Sequence, residues 1–434
     1  MSSEYLLALC SRSRKLAMWI LLAGALLGTP QLYADDDLFS GSMSFSGFAT
    51  IGLVQGGDSD LGFTRDLTRS GVFDNDNSIK QDSVLGVQVD SRFNTDWSAT
   101  AQMVLRDRFD DSLEEHLEWA YLRYRADDEW SFRVGRTVVD LFTLSDYRNI
   151  GFAYLWARPP VEFYGAVIFD YVDGVDVTYS TLLPNSYLRI KIFAGESTNY
   201  LSRGTDTDEL EINPIVGVNA TWDYGKWSSR VGFARTTADF QSESLQQLSD
   251  ALGLVPAQIW RQAPELSEDV LLVDRDFNYF NLGVTYDSHP WIVQGELSYI
   301  DSSFKFYPDT TSGYISLGYR HKSMTYFGMF SAAESSDGPR QITAPSNPPI
   351  PADPANPLYQ LYLGTQQLAD DNVTRQSTVS IGARWDLSAN IALKMQYDRH
   401  QLDAYGSYLW ATQQQPLDED RSLDTLSVNV NLVF

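Results

Sequence analysis

Five arginines, Arg92, Arg106, Arg123, Arg125 and Arg133, recur along one stretch of the chain, each on the polar side of an alternating apolar–polar segment. The following segment, 137–172, adds Asp140, Asp146, Arg148 and Glu162. Guanidinium groups and carboxylates held near one another do no covalent chemistry by themselves. They bind or sort ions through the field between them. Residues suited to covalent chemistry are scattered: the four histidines are His116, His289, His321 and His400, and no G-x-S-x-G, H-E-x-x-H or cysteine/histidine metal set occurs. The chain reads as a non-enzyme without a cofactor.

The N-terminus reads as an export signal. Arg12, Arg14 and Lys15 precede an apolar run from Leu16 to Leu27, too short to span a bilayer and suited to a secretory h-region. Cleavage after Ala34 leaves residues 35–434 as one mature domain. The single cysteine, Cys10, lies in the signal and follows Leu9, which argues against a lipoprotein site. Removing three basic residues and Glu4 leaves 29 basic against 56 acidic residues, a net charge of −27, so a nucleic-acid partner is excluded. Past residue 34 no run of eighteen apolar residues occurs, so a membrane could be crossed only with strands.

The strand pattern is plainest at the C-terminus. Leu426, Val428, Val430, Leu432 and Phe434 share one face, and Ser427, Asn429 and Asn431 the other. The same alternation recurs at Val379/Ile381/Ala383/Trp385, Leu282/Val284/Tyr286, Val216/Val218/Ala220/Trp222 and Leu188/Ile190/Ile192. A soluble sandwich would bury the apolar face, whereas a membrane barrel turns it to lipid and lines its lumen with the polar one.

The connections decide between them. Short turns at 94–96, 126–129, 183–186, 223–226, 287–290, 320–323 and 386–390 alternate with long loops near 56–81, 109–116, 137–172, 197–213, 239–276, 303–312, 335–373 and 399–423. Seven turns and eight loops join sixteen strands with both ends of the barrel at one rim. Trp97, Trp130, Trp227 and Trp291 each open a strand just after a short turn, and Trp222 and Trp385 sit just before one, as a girdle at one membrane face requires. The predicted fold is all-β: a transmembrane antiparallel barrel of sixteen strands with short periplasmic turns and long external loops.

The terminal Phe434 resembles the C-terminal signature of outer-membrane barrels. With it, the segments 135–140, 146–151, 154–164 and 173–179 make the chain similar to the Gram-negative outer-membrane porin family, of the sixteen-stranded general-porin type. The resemblance implies an outer-membrane homotrimer whose third loop folds into the barrel and narrows a water-filled channel. It places the basic pore wall at Arg92, Arg106, Arg123, Arg125 and Arg133. Asp140, Asp146, Arg148 and Glu162 would then belong to the third-loop side, giving a transverse field. The alternative is that these arginines pair with Glu118 or Asp90 merely to satisfy a polar lumen. The chain departs from the best-known general porins in its sparse third-loop acidic cluster and its long fifth and seventh loops.

Two loops stand out. Within 242–263, Leu245, Leu248 and Leu252 have helical spacing, with Ser242 or Ser244 as N-cap and Gly253 as stop; Val255, Ile259 and Trp260 suggest a second helical piece. This is either a self-packed external subdomain or a lid or subunit contact. Residues 339–357 hold seven prolines and read as an extended or poorly ordered surface loop. Acidic clusters such as Asp58/Asp60, Asp110/Asp111/Glu114/Glu115 and Asp206/Asp208/Glu209/Glu211 are solvated loop charges that could hold Ca²⁺ or Mg²⁺ loosely against lipopolysaccharide.

The function these readings imply is passive diffusion of small hydrophilic solutes and ions. The alternatives are a selective channel with a site built from the third and fifth loops, and a non-conducting structural or adhesive barrel. Loop charge favours cations at the mouth. Salt screens it beyond about 8–10 Å, so arginines at the waist should win, giving mild anion preference or little selectivity.

Overall fold

The computed structural model describes residues 42–108, 113–167, 169–203, 206–345, 352–353, 355–412 and 417–434. The expected signal segment 1–34 lies outside them, as do Asp110 and Asp111.

Sixteen antiparallel strands close into one barrel. They are β1 (Ser42–Gln55), β2 (Val84–Arg92), β3 (Trp97–Arg106), β4 (Leu117–Arg125), β5 (Trp130–Val138), β6 (Tyr171–Leu183), β7 (Ser186–Arg203) and β8 (Asp206–Tyr224). The second half comprises β9 (Trp227–Gln241), β10 (Arg275–Ser288), β11 (Trp291–Ser302), β12 (Thr310–His321), β13 (Met324–Ser335), β14 (Thr374–Ser388), β15 (Ile391–Ser407) and β16 (Arg421–Val433). Each pairs with its sequence neighbour, and β1 pairs with β16 from Phe48↔Val433 to Gln55↔Leu426. Phe434 completes the seam: the Gly47 amide donates to its carbonyl at 2.8 Å and its own amide donates to the Gly47 carbonyl at 2.9 Å. Closure leaves no strand edge unpaired, which a bilayer demands.

The two faces are inverted relative to a soluble protein. On β16 the apolar residues Leu426 and Val430 are exposed, while Ser427, Asn429 and Asn431 are fully buried inside. Ile315, Leu317, Val379 and Ile381 are likewise exposed. The six tryptophans expected at the short-turn rim face outward, 39–50% exposed. Four of them pack at a tilt or edge-on against a directly opposite tyrosine: Trp97 against Tyr124, Trp130 against Tyr179, Trp227 against Tyr286 and Trp291 against Tyr319, with centroids 4.7–4.9 Å apart. This ladder of amphipathic rings marks one membrane interface.

All seven short turns fall where the sequence puts them. The fourth long loop does not. Residues 197–203 and 206–212 remain paired strand, because Ser197–Asn199 and Leu210–Ile212 keep an alternating pattern that the acidic residues between them obscure. The acidic group Asp208, Glu209 and Glu211 therefore stands on a strand.

In the fifth loop α1 (Glu243–Gly253) follows Ser242 as expected, but the second helix, α2 (Ala263–Asp269), starts beyond Trp260. Residues 256–260 form only a turn, with Pro264 setting the first turn of α2. A helix of the seventh loop, α3 (Pro357–Asp370), packs with α1 and α2 around Leu252, Trp260, Leu266, Phe306 and Leu368. These loops thus share a core of their own. The Trp260 indole donates to the Thr343 carbonyl at 2.8 Å, which ties down the start of the proline-rich segment.

Candidate pore and constriction

Beyond Val138 the chain turns into the barrel, and polar contacts all along residues 139–164 bind it to the inner wall. Asp140 accepts from Lys191 on β7 and from Arg230 on β9 at 2.5 Å. The Thr143 amide donates to Glu296 on β11 at 2.8 Å, and the Tyr164 hydroxyl to the same carboxylate at 2.5 Å. Lys394 on β15 donates to the carbonyls of Gly151, Tyr154 (2.5 Å) and Trp156 (2.7 Å). Arg158 donates to Asp82 at 3.1 Å, Asp398 at 2.9 Å and Ser427 at 2.6 Å. Glu162 accepts from Ser331, Gln376 and Thr378 on β13 and β14. Buried polar groups persist only when satisfied: Asp140 and Arg158 are ion-paired, while Glu296, Lys394 and Glu162 are held by hydrogen bonds to neutral groups.

The loop fills the lumen unevenly. Ser331, Lys394, Ser427, Asn429 and Asn431, the polar lining of β13, β15 and β16, have no exposure left. Beside β4–β7 the lumen stays open as a chamber of about 560 Å³, lined by Arg123, Arg125, Arg133, Arg189 and Lys191. Asp146 projects from the third loop into the same space, and Asp127, Asp128 and Glu129 edge it at the short-turn rim. Arg133 is held by Asp176 at 2.8 Å and Lys191 by Asp140. Among the described residues, Arg123, Arg125 and Arg189 have no carboxylate at ion-pair distance, so three guanidinium groups face water.

Toward the long-loop rim the space narrows to a cleft of about 30 Å³ between Arg65 and Asp66 of the first loop, Arg106, and Arg148 and Asp170 of the third. Arg106 donates to Glu118 and Asn149, each at 2.8 Å, and pairs with Asp170, as does Arg148. Arg108 joins Glu115 at 2.7 Å and Asp170 at 2.8 Å. Burial would raise the Asp66 carboxyl, but Arg69, the Thr68 hydroxyl and Arg65 bring it down to about 2. Burial lowers the Arg148 guanidinium to about 10, leaving it cationic at neutral pH. The cleft is thus a mesh of arginines and carboxylates.

The sequence-derived set divides. Arg123, Arg125, Arg133 and Asp146 meet in the chamber, and Arg106 and Arg148 meet at the cleft. Arg92 ends β2 at the short-turn rim, opposite Ser98 and Ser42, exposed and away from both. Asp140 and Glu162 correct the expectation of an acidic face opposing the arginines. Both are buried anchors turned into the β7–β9 and β13–β14 walls. Arg106 follows the alternative reading, paired to Glu118.

Sequence reasoning missed Arg65, Arg158, Lys394 and Glu296 as functional. Lys394 and Arg189/Lys191 were legible as lumen-facing by alternation alone. Nothing local marks Arg158, whose partners Asp82 and Asp398 lie far away in the chain.

No model of a sequence family matches the chain, and no curated protein matches it by sequence. Solved structures do. The anion-selective porin from Comamonas acidovorans aligns with a TM-score of 0.51 at 12% identity, covering 91% of this chain and all of that one. The outer membrane channel DcaP of Acinetobacter baumannii aligns at 0.51 and 14%, covering 91% and 97%. OmpF of Salmonella typhi, solved in complex with daunomycin, aligns at 0.50 and 11%, covering 90% and 97%. The chain has the closed sixteen-stranded fold of the general porins.

Proposed function

We propose that this protein is an outer-membrane channel of a Gram-negative bacterium that passes small hydrophilic solutes by passive diffusion, with a preference for anions, and that it is not an enzyme. The observation that carries this reading is the open chamber of about 560 Å³ beside β4–β7 with Arg123, Arg125 and Arg189 on its wall, free of ion-pair partners among the described residues. A solute moving along that wall meets fixed positive charge where the lumen is confined, and screening removes most of the influence of the acidic loops. The cleft at Arg65, Arg106 and Arg148 then limits size. Conductance per channel should be small, because the third loop occupies the β8–β16 side.

That one of the structural neighbours is an anion-selective porin agrees with this sign of selectivity. A homotrimer fits the same reading: β2–β5 have 9–10 residues against 12–19 for β6–β15, so one side of the barrel has a low wall suited to a neighbouring subunit. Lipopolysaccharide bridged by Ca²⁺ or Mg²⁺ at the acidic loops belongs to the proposal as well. Single-channel recording in planar bilayers tests it. Stepwise, small conductance supports the channel, and its absence in correctly folded protein refutes it.

A further inference from the structure

The long-loop half of the barrel contradicts the rule that the lumen is polar. β8 bulges between Ile212 and Ile215, and there its two faces exchange character. Below the bulge Val216, Val218 and Trp222 face outward and are exposed, with Asn219 and Thr221 inside. Above it the outward residues are Glu209 and Glu211, while Leu210 and Ile212 turn inward and are buried. One extra residue in the strand reverses which side chains point in. On β9 and β10 the same level carries Ala238, Phe240 and Phe277 inward, with Asp239 and Asp276 outward. The outward acids show that this level stands above the lipid, so the inner apolar wall was not placed there for the membrane.

This wall lines an apolar pocket of about 170 Å³ that is open on one side. Its remaining sides are Leu141 and Phe169 of the third loop, Leu245 and Leu272 of the fifth, Phe304 of the sixth and Leu368 of the seventh. Among the described residues, no aspartate, glutamate, lysine, arginine or histidine lines it. Protein interiors are close-packed, and voids beyond the size of a water are few. An apolar cavity of roughly 150 Å³ stays dry and accepts benzene or xenon. Five strands, β7–β11, and five loops converge here without filling the space. The polar chamber lies on the other side of the third loop, so the two compartments differ in chemistry as well as position.

We propose that this cavity is a binding site for a small uncharged apolar solute, about the size of one aromatic ring. The inference rests on the fold and does not need the channel reading. Dispersion contacts and exclusion from water supply the affinity. With no charged group on its walls, the cavity rejects ionised solutes, for which desolvation would go uncompensated. The third loop, as the shared partition, would carry any influence of the bound solute on conduction.

The test uses the full barrel in phospholipid nanodiscs, titrated with fluorobenzene and read by ¹⁹F NMR against empty nanodiscs. Saturable binding at one site per chain, lost in Ala238→Phe, is the expected result. Non-saturable partition equal to empty nanodiscs overturns the proposal, as does unchanged binding in folded Ala238→Phe. Should that variant not fold, Ala234→Leu fills the same space with less bulk and must also lose the site. Mass spectrometry of organic extracts separates the sources: a stoichiometric fatty acyl chain, depleted in the filled variant, would assign the cavity to a lipid tail and refute the free solute. Conductance measured on the same preparation is read separately, so loss of conduction with retained binding counts against the channel alone.

Discussion

Arg158 on the third loop and Asp398 on β15 meet at 2.9 Å where both side chains are almost wholly sealed from water, 2% and 3% exposed. Asp82 takes the other arm of the same guanidinium at 3.1 Å. The loop is therefore bolted to the wall opposite its own strands, β5 and β6. Removing one partner of a buried ion pair leaves the others uncompensated and typically costs about 3–5 kcal/mol. Arg158→Met is expected to lower the temperature at which the barrel loses its compact gel mobility and to raise single-channel conductance. An unchanged conductance would mean that the loop is held elsewhere.

Lys394 makes the second bolt, and a backbone one. Its ammonium satisfies three carbonyls of residues 151–156 at once. Lys394→Met keeps the stem but orphans the Gly151 and Trp156 carbonyls, while that of Tyr154 keeps Arg384 at 3.0 Å; each orphan costs about 1–3 kcal/mol if it stays buried. Amides of residues 150–158 should then exchange with solvent faster than those of the barrel strands, as hydrogen-exchange mass spectrometry would show. The double variant with Arg158→Met should be less than additive, because both changes release the same loop.

Charge on the chamber wall should set selectivity. Arg123, Arg125 and Arg189 face water without a carboxylate partner, so replacing them with glutamine removes field without orphaning a buried acid. Each replacement is expected to reduce the anion-to-cation permeability ratio about twofold, the scale of a partly solvated charge interaction of about 0.4 kcal/mol. Arg92→Gln, at the exposed end of β2, should leave the ratio nearly unchanged.

The long-loop subdomain carries a pH dependence of its own. Burial, with Asp371 beside it, raises the Asp370 carboxyl at the end of α3 from 3.8 to about 6. The folded loop holds this proton more tightly than the unfolded chain. The contribution is therefore complete below about pH 4 and is lost as the pH rises through 6. Amide exchange across Pro357–Asp370 should accelerate between pH 4 and 6 beyond its intrinsic pH dependence. Asp370→Asn should remove that excess.

The barrel itself was legible because its information is local. Alternation at Leu426–Phe434, the short turns and the tryptophans beside them each report on a few consecutive residues, and closure follows from their number. Arg123, Arg125 and Arg133 were legible for the same reason, since parity tells which side of a strand faces in; Asp146, in a loop, came only from the resemblance that turns the third loop inward. The fate of Asp140 and Glu162 was not. A carboxylate in an inward loop either faces the pore or satisfies the wall, and the choice depends on Lys191, Arg230, Gln376 and Thr378, which sequence spacing does not connect to them. The apolar cavity was hidden by a single bulged residue. Shifting β8 by one position above Ile215 turns the apolar series inward, and the acidic alternates made that stretch read as loop.

The zero-current potential of purified protein in a planar bilayer under a tenfold salt gradient tests the central claim most directly. Discrete small-conductance channels whose potential takes the anion-selective sign, shifting toward zero when Arg123, Arg125 and Arg189 become glutamine, are the result expected of a channel running along the β4–β7 wall. A cation-selective potential, or a folded barrel that passes no current, would contradict it.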